Sequence, residues 1–96
     1  MPNNDVKING IYRHFKGHVY RVLCIAKDAE NDDLQDIVIY KDVEKENEGV
    51  DLIWARPKKL FCSKVDKVKY PNVEQEYRFE LINIVEIINS NYSKNQ

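Results

Sequence analysis

Residues 10–26 read GIYRHFKGHVYRVLCIA, and this stretch decides the expected fold because it holds two strand-like runs joined at a glycine. In the first run Tyr12 and His14 fall on the same face, since alternate side chains of a strand point the same way. Gly17 permits a tight reversal. The second run, 18–26, is β-branched and aromatic, which predicts the longest and central strand of a sheet.

Further strand-like runs lie at residues 37–40, 51–56 and 61–65. The charged stretches 27–36 and 41–49 separate them and predict exposed loops. Pro57 ends the fourth strand because it has no amide proton for a ladder, and a single helical turn is expected directly after it. Five short strands result, with 61–65 as the last, and they predict a mainly β fold.

The apolar segment 80–90 is ambiguous between strand and helix. Its β-branched residues favour a strand, whereas its polar residues recur at helical spacing, and we favour a short helix. Such an apolar segment should be buried, either across an open end of the β structure or against a second copy of the chain. We expect a flexible N-terminus over 1–9, a single domain over 10–90 and a disordered tail over 91–96.

Composition limits the classes of function. The 96 residues carry a formal net charge of −1, which gives no global electrostatic case for nucleic acid or membrane. No stretch resembles a secretory leader or a bilayer-spanning helix, so we expect a soluble, cytoplasmic protein. Period two places Cys24 on the face of Tyr20, and we expect Cys24 and Cys62 to be reduced thiols in the core.

Four segments in a fixed order resemble a known family. They are GIYRHFKGHVYRVL at 10–23, VIY at 38–40, IWARP at 53–57 and LF at 60–61. This order is similar to the family called domain of unknown function 1653, small bacterial and phage proteins, over roughly residues 10–79. The resemblance implies a small five-stranded SH3-like barrel, with a short C-terminal helix or an extra strand, and it implies no established activity.

The pair Trp54 and Arg56 is the most suggestive feature for function. Two apart in a strand, the indole and the guanidinium share a face and could stack on a planar ligand or hold an anion. We therefore predict a non-enzymatic module that binds a small anionic or aromatic ligand, nucleotide-like, or a short peptide. The predicted ligand-binding residues are Tyr12, Arg13, His14, Tyr40, Trp54 and Arg56. The alternative is that Trp54 packs in the core and Arg56 fixes a carboxylate or carbonyl.

Catalysis and metal binding are not expected. His14 and His18 are four apart, which suits a metal on a helix, but strand and turn separate them here. His14 could act as a base near neutral pH, yet no Ser or Cys nucleophile with an orienting carboxylate accompanies it. We predict no catalytic residues, no metal and no cofactor.

Two further partner classes stay open. Residues 56–69 hold six basic side chains against Asp66 alone, and a basic stripe can bind nucleic acid. The residues of this alternative site are Lys58, Lys59, Lys64, Lys67 and Lys69. The opposing interpretation is a solvated surface balanced by the acidic loops. The third hypothesis is a protein-interaction or homodimer module that uses residues 80–90.

Overall fold

The computed structural model describes residues 5–31 and 33–82, and within them the chain forms one five-stranded antiparallel sheet. The elements, in chain order, are β1 (Ile11–His14), β2 (Val19–Lys27), β3 (Asp36–Asp42), α1 (Val43–Asn47), β4 (Ile53–Pro57), α2 (Lys58–Phe61) and β5 (Phe79–Ile82). The strand order is β4-β3-β2-β1-β5, so β2 lies at the centre as predicted. The mainly β class is confirmed.

A β-bulge in β2 corrects the expectation for one cysteine. Val22 is fully buried and pairs with Tyr40, but the register with β3 shifts between Val22 and Cys24. An extra residue in one strand turns the following side chains to the other face. Ile25 therefore packs against the core, whereas Cys24 is exposed, so its predicted core position is wrong. Cys62 is half-buried against the core, and both thiols are free.

The fifth strand is not the one predicted. Phe61 ends the helical turn α2, whose position after Pro57 is confirmed, and Lys64 makes a single bridge to Tyr77 in place of a strand at 61–65. The fifth strand is β5, which pairs with β1 so that His14 lies opposite Phe79. The helical turn directs Phe61 into the core, and the polar connection then returns the chain to the free edge of β1.

The charged loop predicted at 41–49 is also corrected, because β3 continues to Asp42 and the helix α1 follows. The side chain of Asp42 accepts a hydrogen bond from the Lys45 amide at 3.0 Å, and this N-cap satisfies one of the free amides of the first turn. Glu46 on α1 forms ion pairs with Arg21 of β2 and Lys41 of β3. These contacts hold α1 beside the sheet.

Aromatic rings dominate the core. Phe61 and Phe79 stack with their ring centroids 4.1 Å apart and their planes nearly parallel, at 7°. Tyr40 contacts both rings edge-on, at 5.5 Å from Phe61 and 5.4 Å from Phe79. The buried cluster consists of Tyr12, Val22, Val38, Tyr40, Phe61 and Phe79. This small aromatic cluster joins α2, β1, β3 and β5 and forms the base on which the site is built.

The two ends of the described chain extend this core. Val6 packs against it, and the Asn9 amide donates to the Val22 carbonyl at 2.8 Å. The helix favoured over 80–90 is wrong for its first three residues, because Glu80–Ile82 belong to β5. The rest of that segment and the tail at 91–96 lie outside the described residues. In the described ranges no helix is long and apolar enough to cross a membrane.

Candidate functional site

A cleft of about 210 Å³ opens between β4 and the β1–β2 turn. Its floor is formed by two core rings, Tyr40 at 2% exposure and Phe79 at 6%. It brings together four of the predicted site residues. The residues that line it are His14, Lys16, His18, Tyr20, Tyr40, Trp54, Arg56 and Phe79. We call this the aromatic cleft.

The register between β3 and β4 explains why Trp54 and Arg56 face this cleft. Trp54 lies opposite Tyr40, and Arg56 lies opposite Val38. Directly opposed residues share a face of a sheet, and both β3 partners are buried, so the indole and the guanidinium point to the inner face. β4 is an edge strand in the described sheet, and Trp54 is accordingly 46% exposed. The indole is therefore not sealed in the core.

The guanidinium of Arg56 is held by neutral groups. Its Nε donates to the Tyr40 hydroxyl at 3.0 Å, and its Cζ lies 5.6 Å from the centroid of the Phe79 ring. None of the ion pairs in the described part of the chain involves Arg56. The hydroxyl and the ring orient the guanidinium without neutralising it, so its charge is available to an anion.

His14 lies among the cationic side chains of this region. Its ring stacks on Phe15 with centroids 4.4 Å apart and meets the edge of Phe79 at 4.9 Å. The Lys16 amide donates to Nδ1 at 3.1 Å, so the neutral ring carries its proton on Nε2. Burial, followed by the charges of Arg56, Arg78, Lys16 and His18, lowers the pKa of His14 to about 4. His14 is therefore neutral at pH 7.

A second cleft of about 310 Å³ adjoins the first and shares His14, Lys16 and Arg56 with it. We call this the cationic cleft. Its other residues are Phe15, Val65, Asp66, Lys69, Tyr70 and Arg78. Among the described residues, Asp66 is the only carboxylate that lines it, and the Oδ1 atom of Asp66 accepts from the Val68 and Lys69 amides at 3.0 and 3.2 Å. Four cationic side chains thus face one carboxylate that already binds backbone amides.

Arg78 repeats the arrangement of Arg56. Its Nε donates to the Ser63 hydroxyl at 3.2 Å, and it takes part in no ion pair with residues of the described ranges. Lys16 and Lys69 lie over the Tyr70 ring. The Nζ atom of Lys16 is 5.8 Å from the ring centroid, and that of Lys69 is 5.4 Å from it. Aromatic faces and hydroxyls therefore support the cations of this cleft.

Two predicted site residues lie elsewhere. Tyr12 is buried at the other end of β1, where its ring meets Phe61 edge-on at 5.2 Å and its hydroxyl accepts from the Lys7 amide at 2.9 Å. Burial is the main cause that raises the pKa of Tyr12. Arg13 is exposed and, between Tyr12 and His14 in β1, faces away from the core. Neither side chain lines the two clefts.

Several cleft residues were not predicted from the sequence. Phe79 and Arg78 reach the site because β5 pairs with β1, a pairing between residues far apart in the chain. Lys16 and His18 flank Gly17, whose φ of 104° forms the turn between β1 and β2. The sequence predicts that turn, and the closeness of Lys16 and His18 to His14 in the chain is the signal that could place them at the site.

The lysines of the predicted basic segment have separate surroundings. Lys58 and Lys59 line a groove with acidic residues of the β2–β3 connection and β3, and Lys64 pairs with Glu76 at 3.5 Å. Lys67 donates to backbone carbonyls of its own loop, while Lys69 faces the cationic cleft. The residues that share the Lys58 groove are Asp33, Gln35 and Asp36. Within the described chain no group of His, Cys, Asp and Glu could hold a metal.

Comparison with known families agrees with the sequence pattern. Residues 10–81 match the family model described as "Protein of unknown function (DUF1653)". The chain belongs to this family. The DUF1653 match contains every residue of the aromatic and cationic clefts, so the site lies inside the family unit. No match was found among curated proteins or solved structures.

Proposed function

We propose that this DUF1653 member is a non-enzymatic binding module for a small anionic ligand with an aromatic part, nucleotide-like, or for a short peptide. The ligand enters the aromatic cleft, where the anion meets Arg56 and the planar group meets Trp54. Cytoplasmic location is part of the same proposal.

The observation that carries the proposal is the state of the Arg56 guanidinium. Burial removes part of the solvation of a charge, and an oppositely charged partner offsets that cost. Arg56 is half-buried and is held instead by the Tyr40 hydroxyl and the Phe79 ring. Its terminal nitrogens make no hydrogen bond to other residues of the described ranges. An incoming carboxylate or phosphate would supply the missing partner through paired hydrogen bonds.

The aromatic side of the site supports a ligand with a planar group. Trp54 is the single tryptophan of the chain and is nearly half exposed at the edge of the sheet. An exposed indole beside a guanidinium offers a flat apolar face next to a charge, which suits planar anions. Tyr20 extends this wall, with its ring 5.2 Å from that of Tyr40.

An SH3-like barrel is the finer form of the fold that we propose. Hydrogen bonding leaves β4 and β5 as the two edges of the described sheet. Arg56 of β4 nevertheless lies over Phe79 of β5, so the two edge strands approach each other across the core. This contact supports a sheet curved toward a barrel, with the aromatic cleft at the gap between its edges.

Binding is tested by titrating the fluorescence of Trp54 with sodium phosphate, ATP, p-hydroxybenzoate and an acidic tetrapeptide, followed by thermal shift with the same compounds. We expect at least one of them to change the emission and raise Tm. Arg56→Met should reduce the affinity by about tenfold or more, since a charge-assisted hydrogen bond contributes about 1.5–3 kcal/mol. Arg13→Met removes an exposed arginine outside both clefts and serves as the matched control. Silence of the whole panel, or equal losses in both variants, contradicts the proposal.

The two other partner classes stay predictions. Nucleic-acid binding through Lys58, Lys59, Lys64, Lys67 and Lys69 would appear as retention on heparin and as binding that weakens steeply with salt. A homodimer or protein-interaction role for residues 80–90 falls almost entirely outside the described chain. Light scattering tests the homodimer directly, because it measures the molar mass of the chain in solution.

A further inference from the structure

The aromatic and cationic clefts are one continuous surface with two chemically different ends. His14, Lys16 and Arg56 line both clefts, so a ligand bound in one reaches the wall of the other. We infer that together they form a bipartite site for a nucleoside 5′-monophosphate, with the phosphate in the cationic cleft and the base against Trp54. This inference rests on the proposed function and names its ligand class.

The charge balance of the cationic cleft favours a dianion. Lys16, Arg56, Lys69 and Arg78 line it, and within the described ranges Asp66 is the single opposing carboxylate. A phosphate monoester carries about −1.5 to −2 charges at pH 7 and offers three acceptor oxygens. A carboxylate, such as the C-terminus of a peptide, brings one charge and would leave more of the positive charge uncompensated. Phosphate is therefore the better complement.

The two arginines are oriented to receive such a group. Arg56 and Arg78 each use Nε to donate to a hydroxyl, that of Tyr40 in one case and of Ser63 in the other. The terminal nitrogens of each side chain can then face outward as a fork. Guanidinium groups already fixed in place lose little freedom when they bind an anion, which increases affinity.

The dimensions favour a ligand that uses both ends. The two volumes are about 210 and 310 Å³, at or below the small end of the roughly 300–1,000 Å³ typical of ligand sites. The cationic cleft suits a phosphate with its attached sugar, and the half-exposed Trp54 lines the aromatic cleft beside it. Base stacking on an aromatic side chain contributes about 1–3 kcal/mol and tolerates any base.

The test compares each ligand with its two halves by isothermal titration calorimetry. The four common nucleoside 5′-monophosphates, the four nucleosides and inorganic phosphate are titrated into the full chain. We expect at least one monophosphate to bind tenfold or more tightly than both its nucleoside and inorganic phosphate. Lys69→Met should weaken the monophosphate by about threefold to tenfold and leave the nucleoside unchanged. Lys59→Met, an exposed lysine outside both clefts, is the matched control and should leave all affinities unchanged.

The outcomes separate this inference from the proposed function. The bipartite site is refuted if the nucleosides bind as tightly as their monophosphates, or if inorganic phosphate binds as tightly as the monophosphates. In either case the binding module stands. If only the aromatic carboxylate or the tetrapeptide of the wider panel binds, the nucleotide class is refuted and the module again stands. Silence of every compound refutes both. A 5′-phosphorylated hexanucleotide that binds more tightly than its unphosphorylated form and than the monophosphate supports the site with a strand end as its ligand.

Discussion

The low pKa of His14 predicts that the folded protein loses stability as the pH falls. The groups that surround the ring, from the β1–β2 turn, β4 and the connection into β5, are Lys16, His18, Arg56, Asp66, Lys69 and Arg78. An unfolded chain has a histidine pKa of about 6.5, whereas burial and neighbouring cations lower the pKa of His14 to about 4 in the folded protein. Between these values the unfolded state binds more protons. Stability therefore falls as the pH drops from about 6.5 to about 4.

The magnitude follows from the size of the shift. Moving one pKa from about 6.5 to about 4 corresponds to about 3 kcal/mol if the whole shift is transmitted to folding. The His14 ring is half-buried and borders two open clefts, so solvent screens its neighbours and we expect a loss of about 1–2 kcal/mol. An anion in the cationic cleft would reverse part of this effect, because it favours the protonated ring.

The assay is urea unfolding at several pH values between 7 and 4, on the natural chain and on His14→Gln. The variant lacks the titrating ring, so the difference in slope between the two curves isolates His14 from the carboxylates. The pKa of His14 is read independently from its ring resonances in NMR. The measurement is repeated with AMP, one of the nucleoside monophosphates, at a saturating concentration about tenfold above its Kd. A ring that titrates near its ordinary value, with parallel unfolding curves for both proteins, refutes the reasoning.

Three other changes test the core, the cap of α1 and the thiols. Phe61→Ala should lower the free energy of unfolding by about 3–5 kcal/mol, because Phe61 is buried. Leu60→Ala should lower it by less than about 1 kcal/mol, because Leu60 is exposed, and equal losses in urea unfolding would contradict this. Asp42→Ala should cost about 1–2 kcal/mol in the same assay, and Asp42→Asn should retain most of the stability as a capping residue. Iodoacetamide should label Cys24 in the native protein before Cys62, because Cys24 is exposed while burial raises the pKa of the Cys62 thiol. Labelling at one rate, followed by mass spectrometry, would count against the structure of β2.

Local pattern was sufficient for much of the sheet. The alternation in β1, the glycine turn and the proline that ends β4 are properties of neighbouring residues, so the sequence predicts them. Position in the chain also determined that Trp54 and Arg56 share a face, because the spacing of two is fixed once β4 is a strand.

Non-local contacts decided the remainder. Residues 61–65 (FCSKV) and 79–82 (FELI) are both short runs of mixed apolar and polar residues. Only the stacking of Phe61 on Phe79 and the pairing of β5 with β1 distinguish the helix end from the strand. The bulge that exposes Cys24 arises in the pairing of β2 with β3. The alternation of residues in β2 alone does not reveal it.

For the site, the sequence by itself determined the residue types and the shared face of Trp54 and Arg56. Tertiary structure alone decided that β4 lies at an edge of the described sheet, where Trp54 is 46% exposed, and that the Tyr40 hydroxyl meets Arg56 in place of a carboxylate. It also placed Arg78 and Lys69 beside His14. The physical reason is that strand periodicity is set by the local backbone, whereas burial and charge pairing depend on which distant segments the packed core brings together.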